Sequence, residues 1–103
     1  MLSDTTRRIV ERLFPPDQQD AVRELLVEAC GANLPFDGTL RDAGIERVRL
    51  AVLKLSEGDL AKLHQMAGYA SVDWRDVLVW AGFGESLAAH GEWARDILDA
   101  RFH

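Results

Sequence analysis

From residue 4 onward, apolar residues recur three and four positions apart in nearly every segment of the chain, the spacing of one helix face. Ser3 or Asp4 caps a first helix over 4–13. Ile9, Val10 and Leu13 form its apolar side, and Arg7, Arg8, Glu11 and Arg12 its charged side. Pro15 drives Phe14 out of the helical region, which ends this helix. Pro16 suits the first turn of a second helix over 16–30, with Asp17 and Asp20 near its positive end. Val22, Leu25, Leu26 and Ala29 form its stripe, Arg23, Glu24 and Glu28 face water, and Gly31 is the residue expected just past its end. Asn33 to Thr39 breaks the pattern with turn chemistry at Pro35 and Asp37-Gly38. Leu34 and Phe36 predict a loop strapped to the core.

A third helix over 40–55 is predicted from Thr39 with Asp42 three residues on. Gly44 interrupts its start, so the secure part is Ile45 to Leu55. Ile45, Val48, Val52 and Leu55 make one face. Leu50 and Leu53 add apolar surface on the far side, where Arg47 and Lys54 stay exposed, so this helix is a candidate for burial between layers. Ser56-Glu57-Gly58-Asp59 is a sharp break, because Gly58 disfavours a continuous helix and Ser56 can cap a new one. That fourth helix, over 57–69, turns Leu60, Leu63, Met66, Ala67 and Ala70 inward, and Gly68 weakens its end. The short connection favours antiparallel neighbours.

Asp73 caps a fifth helix over 73–81, and Asp76 suits its first turn. Trp74, Val77, Leu78 and Ala81 share one face, yet Val79 and Trp80 point away from it and are apolar too. A helix apolar nearly all round is normally buried on several sides, so this short segment is predicted to be the centre of the fold. Its β-branched and aromatic content also fits a strand over Val77 to Trp80, but the helical period and the cap agree with each other. Gly82 and Gly84 stop it. A last helix over 86–100 carries Leu87, Ala94, Ile97 and Leu98, with Trp93 at the edge. Gly91 delays its start to as late as His90. Together these elements predict a single all-α domain spanning 1–103, a compact irregular or orthogonal bundle of five to six short helices.

Composition narrows the function without naming it. Apolar residues are 48% and charged residues 28% of the chain, an ordinary soluble balance. The longest apolar run, Val77 to Phe83, is far short of the ~20 residues that cross a bilayer. The first residues hold no apolar stretch after Arg7-Arg8, so no secretory signal is expected. Cys30 is alone and forms no internal disulfide, which makes the cytoplasm the default compartment. The net charge of −5 argues against a nucleic-acid or anionic-membrane binder, since phosphate contact needs a basic surplus.

Each candidate chemistry has a plainer structural explanation. A helix-turn-helix reading of 60–80 puts five residues between Leu60-Ala61 and Ala67-Gly68 and sets Asp73 and Asp76 against phosphate. His64 reads as a partly buried, hydrogen-bonded histidine. His90 and Glu92, two apart, do not face each other on a helix. No His-x-x-x-His or Cys-x-x-Cys is present, and Cys30 has no local base, so neither a zinc site nor a nucleophilic thiol is expected. Asp73, Arg75 and Asp76 are accounted for by capping, the helix dipole and a surface ion pair. The aromatic residues stand out: Tyr69, Trp74, Trp80, Phe83 and Trp93 are five of the chain's eight.

The expectation is a non-catalytic cytoplasmic interaction module with no cofactor and no metal. Its patch would be built from Trp80, Trp93 and Phe83 with Asp73, Arg75 and Asp76 nearby. The partner would be another protein or a second copy of the chain. The alternative is a small-molecule or catalytic pocket between the last two helices, near His90, Asp76 and Glu92. Nucleic-acid binding comes third, disfavoured by charge.

Overall fold

The third helix is the one the others cover. A computed structural model of the chain describes residues 2–31, 42–84, 86 and 88–99. Its helices are α1 (Asp4–Leu13), α2 (Pro16–Ala29), α3 (Asp42–Ser56), α4 (Leu60–Val72), α5 (Trp74–Trp80) and α6 (Ala89–Asp99), and no strand occurs among the described residues. Val48 to Leu53 of α3 are buried without a gap, so this stretch shows no face to water. α1, α4, α5 and α6 all pack on α3, and α2 closes the bundle against α1 and α4. The radius of gyration, 12.5 Å, matches the roughly 13 Å of one compact domain of this length.

The apolar pattern points to α5 as the centre, and the structure overturns this. α5 has seven residues and buries only Val77 and Leu78. Its apolar surplus faces outward. The long α3 takes the central place because it has apolar residues on both sides and enough length to touch four helices.

Three cations make that position possible. Arg49 is 8% exposed, and its Nε donates to the carbonyls of Leu26 at 3.1 Å and Cys30 at 2.9 Å, at the end of α2. Lys54 Nζ donates to the Ala81 carbonyl at 2.7 Å, just past α5. Arg47 donates to the carbonyls of Phe83 and Ser86 in the segment that follows. Carbonyls at a helix end lack intrahelical partners and carry the negative end of the dipole. Arg47 and Lys54 lie seven residues apart and so on one face, while Arg49 is turned about 200° from Arg47. The helix thus serves α5 from one side and α2 from the other. The expectation that Arg47 and Lys54 stay exposed fails for this reason, since both are half-buried against carbonyls.

The end of α2 shows what this arrangement demands. Gly31 follows the helix as its sequence position predicts, but it is needed for space. A Cβ there would stand 2.9 Å from Arg49 Nη2 and 2.9 Å from the Val27 carbonyl oxygen. Cys30 is buried beside it, and burial pushes its thiol up to about 11, with the Arg49 charge pulling weakly the other way. A thiol held protonated in this way is core filling.

The joints correct several boundaries. Ser3 caps α1 through the Thr6 amide at 3.1 Å, and Phe14 leaves the helix in extended geometry before Pro15. Gly44 does not interrupt α3, which runs through it. Ser56 does not cap α4; it ends α3, with its hydroxyl donating back to the Leu53 carbonyl at 2.6 Å. Glu57 and Gly58 then take positive φ, 53° and 80°, and Asp59 caps α4 through the Lys62 amide at 3.1 Å. A Cβ on Gly58 would lie 2.8 Å from the Leu13 carbonyl oxygen, so this turn is pressed against the end of α1. α4 continues past Gly68 to Val72, and α6 begins at Ala89. The predicted strapped loop at Asn33–Thr39 and Leu87 of the last helix lie outside the described residues.

Arg49→Met keeps the bulk of the side chain and removes its donors. Two buried carbonyls then lose a charged partner, which is expected to cost about 2–3 kcal/mol in urea unfolding. Arg8→Met, which removes an exposed ion pair with Asp4, should cost under about 0.5 kcal/mol. Equal effects from the two would contradict the role given to Arg49.

Candidate interaction surface

One residue joins α4 to α5. The Asp73 amide donates to the Tyr69 carbonyl at 2.9 Å, closing α4. Its carboxylate accepts from the Arg75 amide at 3.1 Å, opening α5. The Arg75 guanidinium returns to the same carboxylate at 3.0 and 3.2 Å, and these hydrogen bonds hold the Asp73 carboxyl below its ordinary range. Such a tight joint fixes the two helices relative to each other. Tyr69, in the last turn of α4, and Trp80, at the end of α5, then meet edge to face with ring centroids 5.5 Å apart.

This aromatic pair is in the open. Trp80 is 52% exposed and Tyr69 44%. Val72, one turn beyond Tyr69, is 79% exposed, and Val79 65%. These are four of the five large apolar side chains that stand exposed among the described residues, and all four belong to α4 and α5. Gln65 extends the pair along α4 by donating to the Tyr69 hydroxyl at 3.4 Å. Gly68 lies between them in sequence, exposed in the middle of a helix. A Cβ there would meet nothing within 4 Å, so the fold of the single chain gives no reason for a residue that costs about 0.5–1 kcal/mol against Ala in a helix.

The six expected patch residues are divided by the structure. Trp80 is exposed and meets Tyr69, and Asp73, Arg75 and Asp76 stand at the start of the same short helix. Phe83 does not belong to a surface: it is 1% exposed. Trp93 is half-buried beside it, with ring centroids 6.0 Å apart. Lys54 Nζ stands 5.1 Å over the Phe83 ring, and the His90 ring meets it at 6.2 Å. Val72 and Val79 were missing from the expectation. The signal for Val72 was its place on the outer side of α4, well off the stripe of Leu63, Ala67 and Ala70.

A separate cleft of about 380 Å³ lies between α1, α3 and α6. Leu50, Ala94 and Leu98 line it together with Arg8, Glu46, His90 and Arg95. Of the three residues expected to border a pocket, His90 lines this cleft and Asp76 and Glu92 do not. Glu46 is engaged by the Ser3 hydroxyl and, at 3.4 Å, by that of Thr6. His90 Nδ1 is buried with no hydrogen-bond partner. Desolvation, and then the nearby Arg47 charge, lower the His90 pKa against the opposing pull of Glu46. His64, expected to be partly buried and hydrogen-bonded, is exposed instead, because α4 turns that edge to water. Among the described residues no three His, Cys, Asp or Glu side chains gather as metal ligands, and no helix is long and apolar enough to cross a membrane.

Comparison with family models, with curated proteins and with solved structures finds no match to this chain. The surface and the cleft must therefore be read from their own chemistry.

The His90 shift has a pH signature. With the folded pKa below the unfolded value of about 6.5, the unfolded chain binds the proton first as pH falls. Stability is therefore full above about pH 6.5 and declines as pH drops through the folded pKa. Replacing His90 by Gln should flatten that part of the wild-type curve of melting temperature against pH. A Gln variant whose curve keeps the wild-type slope between pH 7 and 5 would rule out the His90 contribution.

Proposed function

We propose that this chain is a non-catalytic interaction module that binds a protein partner through the α4–α5 surface. The supporting observation is Trp80, more than half exposed and met edge-on by Tyr69, with Val72 and Val79 also exposed on the same two helices. A tryptophan held rigidly at a surface loses little freedom on binding and brings a large apolar area, the properties of an interface anchor. The Asp73–Arg75 pair beside it supplies a polar rim. The net charge of −5 weighs against nucleic acid as the partner.

A photoreactive amino acid placed at position 72 or 80 in living cells tests this. Irradiation should give discrete adducts of defined mass, whereas the same residue at Glu24, on the exposed side of α2, should not. Adducts no more frequent at 72 and 80 than at 24 would remove the reading.

The cleft between α1, α3 and α6 favours a second reading, binding of a small molecule. Its volume falls in the range of ligand pockets, and Gly91 at its wall leaves open space, with nothing within 4 Å of a Cβ. A compound bound there would raise the melting temperature of the wild type but not of Gly91→Phe, which fills the space. A compound that stabilises both proteins equally binds elsewhere.

A further inference from the structure

Among the described residues, Arg47 Nε and His90 Nδ1 are buried side-chain nitrogens with no hydrogen-bond partner. Both side chains close on Phe83. Arg47 of α3 donates to the Phe83 carbonyl and, at 3.4 Å, to that of Ser86. His90, in the first turn of α6, sets its ring edge-on to the Phe83 ring with centroids 6.2 Å apart. It lies within electrostatic reach of Arg47. A guanidinium Nε only donates, whereas a neutral imidazole with its proton on Nε2 offers Nδ1 as an acceptor. One unmet donor and one unmet acceptor thus stand on two helices at the same side chain, and a buried pair of this kind gains by meeting.

We propose that Arg47 and His90 form a pH-sensitive latch between α3 and α6. Neutral His90 accepts a hydrogen bond from Arg47 Nε at Nδ1, and protonated His90 lets the start of α6 leave Phe83.

The charges around His90 set the direction. α3 brings Glu46 and Arg47, and its Lys54 stands over the Phe83 ring. α1 brings Arg8 and α6 brings Arg95 to the cleft that His90 lines. Asp99 lines that cleft too, but nine residues on, about 13 Å along α6. Asp4 is engaged by Arg8 at 3.2 Å. Glu46 draws a proton toward His90, yet it already accepts from the hydroxyls of Ser3 and Thr6. Desolvation, and then the Arg47 charge, outweigh it. His90 is also the second residue of α6, at the positive end of the helix dipole. Protonation makes Nδ1 a donor facing a guanidinium that has only donors, and no arrangement of the pair satisfies both. His90 and Gly91 wall one side of the cleft between α1, α3 and α6, so release of this turn opens the cleft there.

Long-range 1H–15N NMR of the imidazoles at about pH 7.5 should show His90 as the Nε2–H tautomer with Nδ1 accepting. An Nδ1–H tautomer overturns the latch. Native-state hydrogen exchange reads the release. Protection of the Glu92–Arg95 amides should fall below about pH 6.5, by at most about tenfold per pH unit for one proton. At about pH 5 it should be lower than protection of Leu63–Ala67 in α4, because α6 opens without the rest of the bundle. His90→Gln, whose amide oxygen accepts from Arg47 at any pH, should hold the same protection at both pH values. Equal protection of α6 and α4 in the wild type at about pH 5 would mean that only the whole fold opens. A loss that persists in His90→Gln would mean that another group titrates. Either result overturns the proposal.

Discussion

The bundle depends on α3 carrying cations to the ends of two other helices. A helix that is buried along most of its length has no water to serve its polar side chains, so those side chains must find partners inside. Arg49 finds the end of α2, and Lys54 and Arg47 find the end of α5 and the segment after it. The same contacts satisfy carbonyls that α2 and α5 would otherwise leave open. Central position and helix termination are therefore one arrangement. It also fixes where α2 and α5 stop, because a helix extended by one more turn would carry its open carbonyls past the cation that meets them.

Local signals in the sequence were enough for the class of fold and for most of the helices. Pro15-Pro16, the cap at Asp73 and the 3.6-residue stripes each act within a few residues of themselves, and each appears in the structure. What they could not decide was which apolar helix is central. α3 and α5 both exceed the needs of one face, and only tertiary packing separates them. Arg49 was illegible for the same reason: its partners are the carbonyls of Leu26 and Cys30, about twenty residues away in sequence. The break at Ser56–Asp59 was seen but its cap was misplaced by three residues. The sequence reading took Ser56 as the cap; the positive φ at Glu57 and Gly58 carries the chain on to Asp59, which caps α4 instead.

The candidate surface was half legible. Trp80 could be singled out because a face already filled by Trp74, Val77 and Leu78 left it without a role. Phe83, three residues on, carries the same composition signal but lies in the core, and no pattern over so short a span distinguishes the two. The turn between them does. Gly82 takes φ 79°, and the chain reverses so that Phe83 enters the bundle just after Trp80 has left it.

That reversal explains why the patch stays bare. Phe83 is gripped from three sides, by Lys54 above its ring and by His90 and Trp93 of α6. Arg47 holds its carbonyl. α6 packs on α3 and α1, away from the outer side of α5. Gly84 passes so close to Val79 that a Cβ would stand 3.3 Å from its side chain, yet Trp80 stays 52% exposed. With seven residues, about 10 Å of helix, α5 is too short to bury two faces in any case. Burying Val77, Leu78 and Phe83 against α3 commits it to presenting Val79 and Trp80 outward. Their exposure follows from the packing of the core.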